Sequence, residues 1–325
     1  MTAAAPLSDP RAARHRLIEP ILSHLGVTEA LESMTLAPGG NSRETWILEF
    51  AGERKLVFRC DPDHWIRPNE MRHEIDGLRL AQRAGVPVPQ LLISSDEIDI
   101  GRPFVMTEFV RGTSIARRIL RDPRFATARR VFATQCGEIL SKLHSAAAHA
   151  ASWPHVDPLL ELDRYLAEAR YPSVVLSGAL AWLRKHRPAM PAALAPVHRD
   201  FRLGNLMIDD DGIVAVLDWE TCHLSDPYED LAWLCSRAWR YGSSKPVGGI
   251  GEWPELLDAY SRASGAPIDE LRLRWWRIFA ATRWGLASNA RPCTGSAGDA
   301  MEDAGIARQV CRQEHYVLLE LQATA

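Results

Sequence analysis

The rhythm of apolar and polar positions changes twice along this chain. Residues 11–33 set Leu17, Ile18, Ile21, Leu22 and Leu25 at helical spacing. A Gly-Gly-Asn-Ser turn then leads into alternation at Trp46, Leu48 and Phe50. That is a strand, and "LVFRC" closes a hairpin on it across "AGERK". Residues 68–84 open on a proline suited to a first helical turn. Met71, Ile75, Leu78 and Ala81 recur at helical spacing, and Gly85 ends the run. "VPVPQ" is extended, because each proline drives its predecessor out of the helical region, and "LLIS" and "PFVMTEFV" follow as strands. Beyond "RGTS", helical periods dominate at 113–120, 127–149, 158–170, 174–186, 228–241, 254–264, 268–289 and 300–322. The expectation is an α+β chain of two lobes. Residues 1–110 form a small antiparallel sheet with one inserted helix and an N-terminal helix, and 111–325 form a larger, mainly helical lobe. The glycine-rich "SSKPVGGIGEWP" is expected as a surface loop of the second lobe.

Composition narrows the class. A length of 325 residues suits two domains or one bilobal one. A net charge of −3 lacks the basic excess of a nucleic-acid binder. No apolar run reaches the roughly 18 residues of a membrane span. The six cysteines are scattered without a C-x-x-C, which argues against a disulfide framework or a zinc site. A cytoplasmic location is the expectation.

The helical second lobe is interrupted by "VHRDFRLGNLMIDDDGIVAVLDWE", Val197 to Glu220. Asp-Gly between apolar runs signals a hairpin, which brings Asn205 near Asp218. An amide oxygen and a carboxylate then face one point and offer hard oxygen ligands suited to Mg2+. Asp200, five residues before Asn205, can stand beside the metal and orient an attacking hydroxyl. Asp209, Asp210 and Asp211 are expected as solvated turn residues.

His198-Arg199-Asp200, four residues, then Asn205, matches the kinase catalytic loop. With "LDWETCHLSDPYEDLAWL" after it, the segment resembles the aminoglycoside phosphotransferase and choline-kinase-like family, small-molecule kinases of protein-kinase-like fold. The wording is most similar to the branch associated with acyl-CoA dehydrogenases. The resemblance implies an ATP- and Mg2+-dependent phosphotransferase acting on an alcohol group. Asp200 would be the base and Asn205 and Asp218 the metal ligands. His198 would be a structural histidine, and Asp230 a buried acid bracing the catalytic loop. Glu220 would either join a second metal or face solvent. In the first lobe, Gly39, Gly40, Asn41 and Ser42 would cover the phosphates or simply turn a hairpin. Arg59 would supply the cation where protein kinases use lysine, paired with Glu74 (or Glu70, one turn earlier). The backbone of Glu108 and Val110 would hold adenine, with Met106 and Thr107 lining its rear.

The acceptor is expected on the second lobe. From Leu231 to Arg291 there are nine lysines and arginines against five acids, with several tryptophans. A polycationic aminoglycoside calls for acidic surroundings. A neutral or acidic partner of hydroxy-acid or hydroxyacyl type fits better, with an antibiotic as the alternative acceptor. A nucleotide-binding pseudokinase module is the alternative of another class.

Overall fold

The computed structural model describes residues 10–37, 43–63, 66, 68–147, 150, 153–189, 191, 193–290 and 299–322. The expected phosphate loop, Gly39 to Ser42, lies outside these residues.

Helix α1 (Pro10–His24) stops at Gly26, whose φ of 65° reverses the chain while Val27 donates back to Leu22. The chain then enters β1 (Leu31–Leu36), so the helix expected over 11–33 is shorter than its pattern. The strand is half-exposed at a sheet edge, and its weak alternation hides it. β2 (Glu44–Phe50), β3 (Lys55–Cys60), β4 (Leu91–Ser94) and β5 (Phe104–Glu108) complete a five-stranded antiparallel sheet in the order β1-β2-β3-β5-β4.

The pleat gives this sheet two faces. Trp46, Leu48, Phe50, Leu56, Phe58, Phe104 and Met106 pack with Ile18 and Ile21 of α1. On the other face Val105 packs with Met71 and Ile75 of α2 (Pro68–Arg83). Arg59 lies opposite Val105 in register and so shares the α2 face.

The second part of the chain runs α3 (Ala116–Arg121), α4 (Ala126–His144), α5 (Pro158–Ala167), α6 (Val174–Lys185), β6 (Ala195–Val197), β7 (Leu206–Ile208), β8 (Ile213–Val216), β9 (His223–Ser225), α7 (Tyr228–Leu234), α8 (Trp253–Ser264), α9 (Glu270–Asn289) and α10 (Asp299–Gln322). β6 pairs with β9 and β7 with β8. The helical run expected over 228–241 is only α7 and a short 3-10 turn at Arg237–Trp239.

One core joins the α2 side of the sheet to this region. It links Leu78 and Leu80 of α2 to Phe132 and Leu140 of α4 and to Phe201, Leu206 and Trp219 around the β7–β8 hairpin. A second gathers α5, α6, α9 and α10 around Trp275, Trp276 and Phe279. The loop expected at the surface is buried from Pro246 to Gly251. Gly248 and Gly249 take φ of 57° and 79°, and added Cβ atoms there would strike Phe132 and the Arg240 carbonyl. Glycine here serves close packing rather than exposure.

Candidate active site

β6 carries the chain to His198, which is wholly buried. The His198 ring packs 4.6 Å from Trp219, and its Nε2–H donates to the Leu217 carbonyl at 2.9 Å. With the proton on Nε2, Nδ1 accepts the Asp200 amide at 3.2 Å. Arg199 then sits at φ 70°, a left-handed residue that folds the loop back on itself. Asp230 of α7 holds this bend. Its Oδ2 accepts the His198 amide at 2.8 Å and its Oδ1 the Arg199 amide at 2.7 Å, with His144 of α4 3.2 Å from Oδ2.

The Arg199 side chain turns away to Glu161, which it bonds, and to Glu229 at 3.6 Å. Burial pushes the Glu229 carboxyl up, but His223, Arg199 and Arg283 together bring it down to about 2. These charges are therefore scaffold, holding the loop in place from behind.

Asp200 faces forward. Its Oδ1 accepts the Trp233 indole N–H at 2.8 Å, and its Oδ2 accepts the Asn205 amide at 2.6 Å. Arg202 Nε lies 3.0 Å from both oxygens. Asn205 also donates to the Asp200 carbonyl at 2.9 Å. Its amide nitrogen is thus committed, which leaves the amide oxygen as its available acceptor. Pairing of Leu206 with Val216, and the Leu217 amide on the Asn205 carbonyl at 2.8 Å, set Asn205 beside the Asp218 end of the hairpin. Asp218 has φ 70°, and its carboxylate is 32% exposed. Asp209, Asp210 and Asp211 form the turn: Asp209 accepts two local amides, and Asp210 pairs with exposed Arg124.

From the sheet, Arg59 reaches to 3.7 Å from Asp218 and bonds Oε1 of Glu74. Lys55, at the far end of β3, pairs with Glu49 instead. Glu74 Oε2 is held at 2.6 Å by Arg43, a residue with no precedent in the sequence reading. Arg43 is completely buried and also bonds Asp61 at 3.0 Å and Glu220 at 2.6 Å, with Glu70 at 4.0 Å. It ties β2, the β3–α2 connection, α2 and the loop after Asp218 into one cluster. Glu74, not Glu70, is the acid shared with Arg59.

Glu220 is tied to this cluster through Oε2, which accepts from Arg43 at 2.6 Å, and its side chain is 19% exposed. Burial raises its carboxyl above the usual range and Asp218 adds to this, while Arg43 opposes them. Among the described residues, no group of three or more His, Cys, Asp or Glu side chains is arranged to hold a metal ion. An amide oxygen with one carboxylate is a sparser set, of the kind Mg2+ accepts when phosphate oxygens and water complete its shell.

Along β5, Glu108 donates its amide to Gln90 at 2.9 Å, and Val110 is half-buried. Thr107 is opposite Val57, on the Arg59 face. Met106 is a correction. It is paired with Phe58 and buried in the α1-side core, so the period-two pleat turns it away from Arg59. Val105, its neighbour in the strand, is the residue on the Arg59 face and packs on Met71 and Ile75.

The tryptophans divide in two. Trp275 and Trp276 are core residues, Trp275 stacked on Phe279 and Trp276 edge-on to it. Trp233, Trp239 and Trp284 gather beside Asp200 with ring centroids 5.0–6.1 Å apart. Arg202 lies over Trp239 at 4.8 Å and Arg283 over Trp233 at 4.6 Å. Beside Asp200 the half-buried Trp239 and Trp284 have Arg202 as their part-exposed cation, while Arg283 is turned to Glu161 at 3.6 Å.

Comparison with known proteins bears on the family and the fold. The family model described as APH, phosphotransferase enzyme family, matches residues 33–276. Human acyl-CoA dehydrogenase family member 11 is 28% identical over 291 residues, covering 81% of this chain. The match takes in 36% of that relative, so the chain spans about a third of its length. Among solved structures, a candidate aminoglycoside phosphotransferase from Ralstonia eutropha superposes with a TM-score of 0.74 at 20% identity, over 96% of this chain and 99% of the other. The GDP complex of an aminoglycoside 2'-phosphotransferase-IIIa variant gives 0.65 at 16%, over 97% and 99%. These likenesses establish the bilobal kinase-like fold.

Proposed function

Because the chain belongs to the phosphotransferase enzyme family, we propose that it moves the γ-phosphate of Mg·ATP to a hydroxyl of a neutral or acidic small molecule. Asp200 orients that hydroxyl and takes its proton as the new P–O bond forms and the bond to ADP breaks. Asn205, through its amide oxygen, and Asp218 are the residues that would hold Mg2+. Bound there, the ion would supply positive charge to offset that of the phosphates. Arg59, steadied by Glu74, meets the phosphates. The backbone at Glu108 and Val110, with Val105 and Thr107 behind, receives the base. His198 and Asp230 keep the catalytic loop in shape. Residues 1–110 would act as the nucleotide lobe and 111–325 as the acceptor lobe, in a protein working in the cytoplasm.

One observation carries the reading. Asp200 and Asn205 are bonded to each other, and the hairpin sets Asp218 beside them, 3.7 Å from the cation opposite. The acceptor class rests on Arg202 over Trp239. A polycation would meet this arginine unfavourably, which counts against the antibiotic alternative.

The experiment is a screen of hydroxylated carboxylic acids, their thioesters and aminoglycosides with γ-labelled ATP, with Asp200→Asn as control. Transfer to an acidic or neutral compound, reduced about a hundredfold or more in the variant, is the expected result. Nucleotide binding without any transfer would favour the pseudokinase module. Transfer to aminoglycosides alone would overturn the acceptor class.

A further inference from the structure

The Asp200 carboxylate has more partners than a base awaiting its substrate should have. An ionised carboxylate offers about four lone-pair directions. Oδ1 accepts from Trp233 and Arg202, and Oδ2 from Asn205 and Arg202. Three N–H groups of the protein meet them, the single Arg202 Nε–H straddling both oxygens. A hydroxyl cannot donate to Asp200 until one of them leaves.

The surroundings identify the one that leaves. Trp233 is buried and wedged edge-on against Trp284. Asn205 is buried in a 3-10 turn whose backbone is tied to Leu217. Arg202 is a long side chain one-quarter exposed, and it rests on Trp239 in a slot kept open by Gly204. A Cβ on Gly204 would lie 2.4 Å from Arg202 Nη1.

We propose that Arg202 caps the base in the resting enzyme, and that the acceptor, not the nucleotide, uncovers it. This rests on Asp200 being the base. With Arg202 seated, water in the site has no free carboxylate lone pair to receive its proton. The wasteful reaction is therefore held back. In that reaction water oxygen bonds to the γ-phosphorus, the P–O bond to ADP breaks, and the water proton passes through Asp200 to solvent. A true acceptor draws the guanidinium aside, and its own hydroxyl then takes the vacated direction. Arg202 is thus a positioning residue that makes phosphoryl transfer conditional on an acceptor able to displace it.

The test measures ADP release with Mg·ATP alone, no acceptor being added. Arg202→Gln removes the cap. Gly204→Ala keeps the arginine but pushes it from its slot, and the same measurements are made with Asp200→Asn added to each. The expected result is a rise in hydrolysis of about tenfold or more in both single variants, lost in both doubles. Damage to the fold would lower the rate rather than raise it. Hydrolysis unchanged in Arg202→Gln overturns the cap and leaves the base assignment standing if Asp200→Asn is slower than wild type. A rise that persists without the carboxylate overturns the base assignment itself.

Discussion

Replacing Arg43 with methionine tests the central packing claim of the site. The guanidinium is wholly out of water and bonds Asp61, also wholly buried, Glu74, which is 2% exposed, and Glu220, which is 19% exposed. Methionine fills much of the volume but leaves these carboxylates without their shared cation. Removing one partner of a buried ion pair costs about 3–5 kcal/mol, because the other charge stays buried. At about 2–4 °C per kcal/mol for a chain of this order of size, melting should fall by on the order of 10 °C. The loss should shrink in mildly acidic buffer. Glu220 already titrates above its usual range, through burial and then Asp218, and without Arg43 it rises further. A carboxyl raised in the folded state destabilises above its folded pKa, and that penalty is relieved as pH falls through it. Calorimetry of Arg43→Met, Glu220→Gln and the double variant at pH 7.5 and pH 5.5 checks this. Coupling between the two sites and a smaller deficit at the lower pH are expected. A melting midpoint within about 2 °C of wild type, or strictly additive effects, would refute the reasoning.

The reverse sign applies to Glu229. Its carboxyl is brought down to about 2 from an ordinary 4.5 by His223, Arg199 and Arg283 against the opposing effect of burial. The stability it contributes is present above pH 4.5 and is lost as pH falls toward 2. Glu229→Gln should be on the order of 2–3 kcal/mol less stable at neutral pH. Urea midpoints should converge on wild type across that acid window, and a gap constant with pH would contradict the assignment. At Gly77 of α2, a Cβ would lie 2.7 Å from the Trp219 Cβ and 3.1 Å from the Cys222 sulfur. Gly77→Ala gains about 1 kcal/mol of helix propensity but costs about 1–3 kcal/mol of overpacking against a fully buried indole. Melting should fall, and a stabilised variant would show that the loop yields.

What was legible in the sequence was local. His198, Asp200, Asn205, Asp218 and Asp230 lie within 33 residues, and their spacing carries a turn, a hairpin and a helix start that can be reasoned residue by residue. The Glu74–Arg59 pair needed one strand and one helix face, and it too could be read. Arg43 could not. Its partner Glu220 is 177 residues away, and nothing in "NSRET" says that the side chain will cross between lobes. Met106 was misplaced because three apolar neighbours in a buried strand do not reveal which face each takes. β1 was missed because an edge strand with few buried positions lacks a clear period. The loop at Pro246–Gly251 was misread because glycines that permit exposure equally permit backbone to press on backbone.

The grip of α2 on the segment after Asp218 has a consequence for control. Gly77 lies flush on Trp219, the Cys222 thiol donates to the His73 carbonyl at 3.5 Å, and Glu74 and Glu220 share one arginine. Helix and segment therefore travel as a single carriage. Swinging the helix outward, a means by which kinase-like catalysts are switched off, would here either carry the segment after Asp218 with it or tear three unlike fastenings at once. An independent lever at the back of the helix would have to overcome all three.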